Sequence, residues 1–136
     1  MSNPLAAQAP NIYSSGRQLI AGSDINNIVA QLNSMEDGIT ATAGGGKPTA
    51  RQLTSAVNTI ATVTTAADSV KLPKGYPGLE VWVVNEDADS LQVFGYASDT
   101  IDGVATGTGV AQAQGKTIYR VNKYNPATGI ANWVSK

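Results

Sequence analysis

The chain has 136 residues, room for one ordinary domain and an extension but not for a two-domain enzyme built around a cleft. Nine Lys and Arg stand against ten Asp and Glu, a net charge of −1, so there is no basic field to displace counterions from a nucleic acid. Cys and His are both absent, which removes disulfides, thiolate nucleophiles, Cys/His zinc sites and the one side chain that ordinarily titrates near neutral pH.

Met1 to Pro10 lacks a basic n-region and an apolar h-region, and no run of eighteen apolar residues occurs anywhere. The expectation is a chain with neither a signal peptide nor a membrane span. Residues 1–22 scatter Pro, Gly, Ser and Ala without periodicity and read as an extended arm that buries too little apolar surface to order itself. A partner or a neighbouring subunit is the natural agent to order it.

Ser23 is a good N-cap and Asp24 places an anion in the first turn. Ile25, Ile28, Val29, Leu32 and Met35 then recur at helical spacing, which predicts one amphipathic helix over about 24–36, with Gly38 as its stop. Such a helix is ~20 Å long and too short to persist in water alone, so its apolar stripe must pack on something. Three surfaces would serve: the chain's own β body, a cluster of helices about an oligomer axis, or a groove on a partner.

Thr40 to Pro48, with Gly44, Gly45 and Gly46 in a row, reads as a flexible linker and places a boundary between an arm of 1–48 and a body of 49–136. The run Gly44 to Thr49 superficially suggests a phosphate loop. Its required first Gly falls at Ala41, however, and Pro48 stands where Ser or Thr would hold magnesium.

From Leu53 onward short β-type runs alternate with turn residues, the pattern of a β-sandwich, barrel or jelly roll. Strands are expected at 57–63, 69–72, 79–84, 91–96, 110–113, 116–122 and 130–134, with turns at Pro73–Gly78, at Gly115 and at Asn125–Gly129. The run at 79–84 puts Leu79, Val81 and Val83 on one face and Glu80, Trp82 and Val84 on the other, which implies cover on both sides. Asn85 to Ser90 reads as a polar hairpin loop. A body this small, drawing much of its apolar content from Ala, is marginal alone, and oligomerisation would supply further burial.

Candidate chemistry is sparse. Asn85, Asp87 and Asp89 have the alternate spacing of a calcium loop, but Ser90 occupies its Gly position and Tyr96 its bidentate Glu position. Asp99 and Asp102 would be a carboxylate pair only if the fold brought them together, and Gly103 beside them indicates a turn. The many Ser and Thr have no His as base and no Ser-x-x-Lys motif. No catalytic residue, cofactor or metal ligand is assigned. Trp82, Phe94, Tyr96, Tyr119, Tyr124 and Trp133 are either core and interface or a sugar-stacking platform. Acids from Glu80 to Asp102 precede cations Lys116, Arg120, Lys123 and Lys136 without mixing, which suits solvated turns or complementary charge across subunit contacts.

The helix start at residues 22–27, Gly-Ser-Asp-Ile-Asn-Asn, and phrases of the body resemble a recurrent class of small phage structural proteins. These phrases are Ala66–Pro73, Val83-Val84-Asn85, Gln92–Tyr96, Ile101-Asp102-Gly103, Gly115-Lys116 and Asn132-Trp133, and the likeness covers roughly residues 53–134. The resemblance implies a mainly β virion protein, an arm and short helix followed by a β-sandwich or jelly-roll body, commonly a homotrimer and without catalytic residues. In that class a capsid decoration or cement protein binds the major capsid protein on the outer capsid surface. The alternative is a tail or head fibre component that docks to the virion and meets a host glycan or protein. Expected partner-binding residues are Ile25, Ile28, Val29, Leu32 and Met35 of the helix, with Trp82 of the body.

Overall fold

A computed structural model describes residues 34–44 and 46–136. The body is mainly β, with ten strands and a single short 3-10 turn among the described residues. The strands are β1 (Met35–Thr40), β2 (Arg51–Gln52), β3 (Val57–Thr62), β4 (Ser69–Lys71), β5 (Glu80–Asn85), β6 (Leu91–Phe94), β7 (Thr100–Ile101), β8 (Val110–Gln112), β9 (Gly115–Asn125) and β10 (Ile130–Ser135). They form a six-stranded sheet in the order β1-β3-β5-β9-β10-β7 and a four-stranded sheet in the order β2-β4-β6-β8.

The chain crosses from one sheet to the other after every strand from β1 to β8. Strands β1, β3 and β5 are therefore parallel in the larger sheet, and β2, β4 and β6 are parallel in the smaller. A parallel pair needs a long crossover, most often a helix. Here each crossover is a short strand of the opposite sheet, so the first half of the body winds as a two-sheet coil. The C-terminal part closes it with antiparallel pairs, β5 with β9, β9 with β10 and β6 with β8.

Period-two alternation explains which residues enter the core. Ile60 of β3, Val81 and Val83 of β5, Tyr119 and Val121 of β9 and Trp133 of β10 point inward and are buried. They join Val70, Leu91 and Val93 of the smaller sheet in one apolar cluster with Leu53 and Leu72. Carboxylates stitch successive turns of the coil. Asp68 accepts from the Thr64 and Gly44 amides, at 2.7 and 3.3 Å, and from the Thr65 hydroxyl. One turn on, Asp87 accepts from the Val63 amide at 3.1 Å.

Several expectations are corrected. Residues 24–33 of the expected helix lie outside the described residues, but its last positions, Met35 and Glu36, belong to β1. Met35 fits helical spacing from Leu32, yet its backbone pairs with Val57, and a ladder of long-range bonds outweighs local periodicity. Gly38, expected as a helix stop, sits inside β1 at φ 68° where the register with β3 shifts; this left-handed conformation is one that glycine adopts without a Cβ clash.

Residues 35–48 are also more than arm and linker. Ile39 and Ala41 are in the core, Thr42 bridges Ser69, and Lys47–Thr49 forms the 3-10 turn. Ile39, Ala41 and Lys47–Thr49 therefore belong to the β body. Asn85–Ser90 is no hairpin loop, because β5 and β6 lie in different sheets. Gly115 opens β9 rather than separating two strands.

Candidate functional site

The face of the larger sheet turned away from the core carries the feature that the core does not explain. On β5, Val81 and Val83 point inward, so Trp82 must point out. The same parity on β9 buries Tyr119 and Val121 and turns out Lys116, Ile118 and Arg120. Register then aligns Met35, Val57, Trp82 and Ile118 in one row across β1, β3, β5 and β9. Val134 of β10, whose partner on β9 is Arg120, extends it. Met35 is 79% exposed and Trp82 and Val134 are each 36% exposed, so a connected apolar row faces outward.

Charge around the row is unbalanced. Glu80, Lys116, Arg120 and Lys136 rim a hollow of about 610 Å³ floored by Ile118 and Val134. Lys116 Nζ lies 4.7 Å from the centre of the Trp82 ring, a cation–π contact, and the indole Nε1 donates to Glu80 Oε1 at 3.1 Å. Trp82 is thus contacted over its ring by a cation and at its indole N–H by an acid. The one ion pair among the described residues is Arg51 with Glu36 at 2.8 Å, joining β2 to β1, so Arg120 has no carboxylate partner there.

Of the expected partner-binding residues, the fold brings Met35 and Trp82 into the same row; Ile25, Ile28, Val29 and Leu32 lie outside the described residues. The aromatic set divides. Trp133, Tyr119 and Phe94 are buried, Tyr124 packs against the core, and Trp82 and Tyr96 are exposed. A platform built from all six is excluded by that division.

The acidic motifs are absorbed by the fold. Asn85 donates to the Asp89 carbonyl at 2.9 Å and accepts from the Asp87 amide, and Asp87 accepts from the Asp89 amide, so the calcium-like spacing is a hydrogen-bonded turn. Among the described residues no three acidic side chains gather as a metal site. Asp99 is buried, accepting from the Ala131 amide at 2.8 Å and from Trp133 Nε1 at 3.2 Å. Burial pushes its carboxyl above the ordinary value while these bonds oppose the shift. Asp102 instead binds the amide and hydroxyl of Ser135 at the surface, so the two carboxylates hold different stretches of β10 and form no pair. Lys47, in the glycine-rich run, donates to the carbonyls of Ala97 and Thr106 and is a loop clamp.

Sequence reasoning missed Val57, Ile118 and Val134, whose parity becomes readable only once Trp82 is known to face out. It also missed a buried polar chain. Tyr119 OH donates to Gln112 Oε1 at 2.9 Å, Gln112 Nε2 donates to the Val83 carbonyl at 2.8 Å, and Asn85 reaches the Gln112 carbonyl. Burial raises the Tyr119 hydroxyl well above its ordinary value, and the chain is satisfied and structural. No known family model, curated protein or solved structure matches this chain.

Proposed function

We propose that this chain is a non-enzymatic virion structural protein, a phage capsid decoration protein that binds the major capsid protein on the outer shell as a homo-oligomer, a trimer in the preferred form. The observation that carries the reading is the outward apolar row Met35, Val57, Trp82, Ile118 and Val134. A row of this kind packs against protein, and its cationic rim suits an acidic counterpart.

In this reading the two sheets are the layers of a wound sandwich that serves as a rigid head. Its outer face anchors the root of an arm, and the arm of residues 1–22 makes the capsid contact. Stabilisation then comes from many modest contacts repeated over the lattice. Co-sedimentation of the full chain with purified capsid shells tests this. The proposal requires saturable pelleting that is lost when residues 1–22 are removed; a chain that stays in the supernatant overturns it.

One observation favours a fibre component as the second reading. Two shallow hollows of about 300 and 330 Å³ flank Tyr124, lined by Asn122, Lys123, Asn125 and Asn132 among others, and amide groups beside an aromatic ring suit a sugar. Binding to host-cell glycans that fails on Tyr124→Ala would favour it.

A further inference from the structure

Two Asp-Gly steps occur in the chain, Asp37-Gly38 and Asp102-Gly103, and the fold holds them in opposite ways. Such a step closes on itself when the nitrogen that follows reaches the aspartate carboxyl carbon, and glycine, with no Cβ, leaves that nitrogen unshielded. Whether it closes depends on where the carboxyl is held and on whether the peptide between them has freedom to turn.

Asp37-Gly38 meets both conditions. The Gly38 amide donates to Asp37 Oδ1 at 2.7 Å, so the carboxyl already lies on the nitrogen that would attack it. In the register of β1 with β3, Glu36 is opposite Asn58 and Ile39 is opposite Ile60, so the Asp37-Gly38 peptide falls where the ladder slips. β1 is also an edge of its sheet, and among the described residues no strand holds its other side. Both residues are exposed, and a Cβ on Gly38 would meet nothing within 4 Å, so the peptide has room to rotate and water reaches it.

Asp102-Gly103 meets neither. Asp102 Oδ1 accepts from the Ser135 amide at 2.9 Å and Oδ2 from its hydroxyl at 2.5 Å, so both oxygens are turned to β10. The two residues, at φ 51° and 77°, form the centre of a turn closed by the Val104 amide donating to the Ile101 carbonyl at 3.0 Å. Bringing the carboxyl onto the Gly103 nitrogen would break these bonds.

We infer that Asp37 is a site of spontaneous isomerisation to isoaspartate and that the fold protects Asp102 from it. The Gly38 nitrogen bonds to Asp37 Cγ and gives up its proton, the carboxyl hydroxyl leaves with that proton as water, and a succinimide ring closes. Water then adds to one of the two ring carbonyls, its bond to nitrogen breaks, and the nitrogen takes back a proton. No atom is gained or lost overall, and no oxidant or reductant takes part. Opening at the Asp37 main-chain carbonyl routes the backbone through Cβ and Cγ. β1 is then one carbon longer between Glu36 and Ile39, which pulls Met35 and Glu36 out of register with Val57 and Asn58 and breaks the Glu36–Arg51 ion pair. The inference goes beyond the proposed function and does not depend on it.

Incubation of the full chain at neutral pH, then digestion and electron-transfer fragmentation, tests it, since this fragmentation separates isoaspartyl from aspartyl peptides of equal mass. A parallel incubation in urea gives the rate of each step without the fold. The expected result is isoaspartate at Asp37 in the folded chain, preceded by a succinimide peptide lighter by one water. The ratio of Asp37 to Asp102 product should be several-fold larger in the folded chain than in urea. The isomerised fraction, separated by chromatography, should exchange its Met35 and Glu36 amide hydrogens faster than the parent chain. An equal or smaller ratio in the folded chain overturns the inference, as does a folded chain that forms no isoaspartate at Asp37. Unaltered exchange at Met35 and Glu36 overturns the loss of register.

Discussion

Replacing Asp99 should be among the most damaging single changes in the body, although Asp99 has the appearance of a turn residue. Its two oxygens accept from the Ala131 amide and from Trp133 Nε1, both on β10, and Asp99 itself is 3% exposed. The surroundings are cut to fit it. A Cβ on Gly75 would meet Ala131 Cβ at 2.4 Å and Asp99 Oδ2 at 3.0 Å, and a Cβ on Gly95 would meet the Asp99 carbonyl oxygen at 2.7 Å. Asp99→Ala leaves two buried donors without acceptors, at about 1–3 kcal/mol each, so a loss of roughly 2–6 kcal/mol is expected. Asp99→Asn keeps the shape but turns an amide NH₂ toward one of the two donors, and should lose about half as much. Against a total stability of about 5–15 kcal/mol this is a large share. Asp102→Ala, which removes surface bonds to Ser135, is the control and should cost about 1 kcal/mol or less. Urea unfolding followed by tryptophan emission measures all three. Equal midpoints for Asp99→Ala and Asp102→Ala would refute the reasoning, because they would mean that the buried donors find water or other acceptors at no cost.

Further outcomes follow from the same contacts. Gly75→Ala should destabilise by about 1–3 kcal/mol or more through overpacking against Ala131, seen as a lower urea midpoint at unchanged slope. Tyr119→Phe should cost about 0.5–1.5 kcal/mol by removing the donor to Gln112 Oε1, and Gln112→Leu should cost more because Tyr119 OH then loses its buried acceptor. Acid should weaken the fold through Asp68 and Asp87. Burial works against the Asp68 charge, but bonds from Thr64, Thr65 and Gly44 prevail, and the Val63 and Asp89 amides act on Asp87, so both folded pKa values lie below the ordinary 3.8. Their contribution is present above the unfolded value and is lost as pH falls through the lowered folded values. Asp99 has the opposite sign: its raised folded pKa favours the fold below the unfolded value, and that contribution is lost as pH rises through the folded value. Urea midpoints between pH 7 and pH 2 should therefore fall less steeply in Asp68→Asn than in the parent chain.

The sequence made the individual strands legible where alternation was strong. The 79–84 run is β5 shifted by one residue, with Val81 and Val83 inward and Trp82 outward as their parity requires, and 130–134 is β10. It did not reveal how the strands pair. Asn85–Ser90 has the composition of a hairpin loop, but composition does not say whether the next strand returns to the same sheet, and here Leu91 enters the other one. Met35 satisfies a helical and an extended pattern equally, and only its pairing with Val57 decides between them. Asp99 and Gln112 are polar residues in polar stretches, and nothing local separates a buried carboxylate or amide from a solvated one. Trp82 was readable as outward-facing because it is a large apolar side chain out of phase with Val81 and Val83, whereas Met35 was placed by helical spacing and lies instead on β1. Val57, Ile118 and Val134 were not readable, since each lies in a run whose inward face had to be known first.

The central claim, decoration of the capsid, is tested most directly by locating the protein on purified particles by electron cryo-microscopy. The account predicts many copies at equivalent lattice positions on the outer shell, each in contact with capsid subunits. A few copies at one vertex or on the tail, or none on the particle, would contradict it.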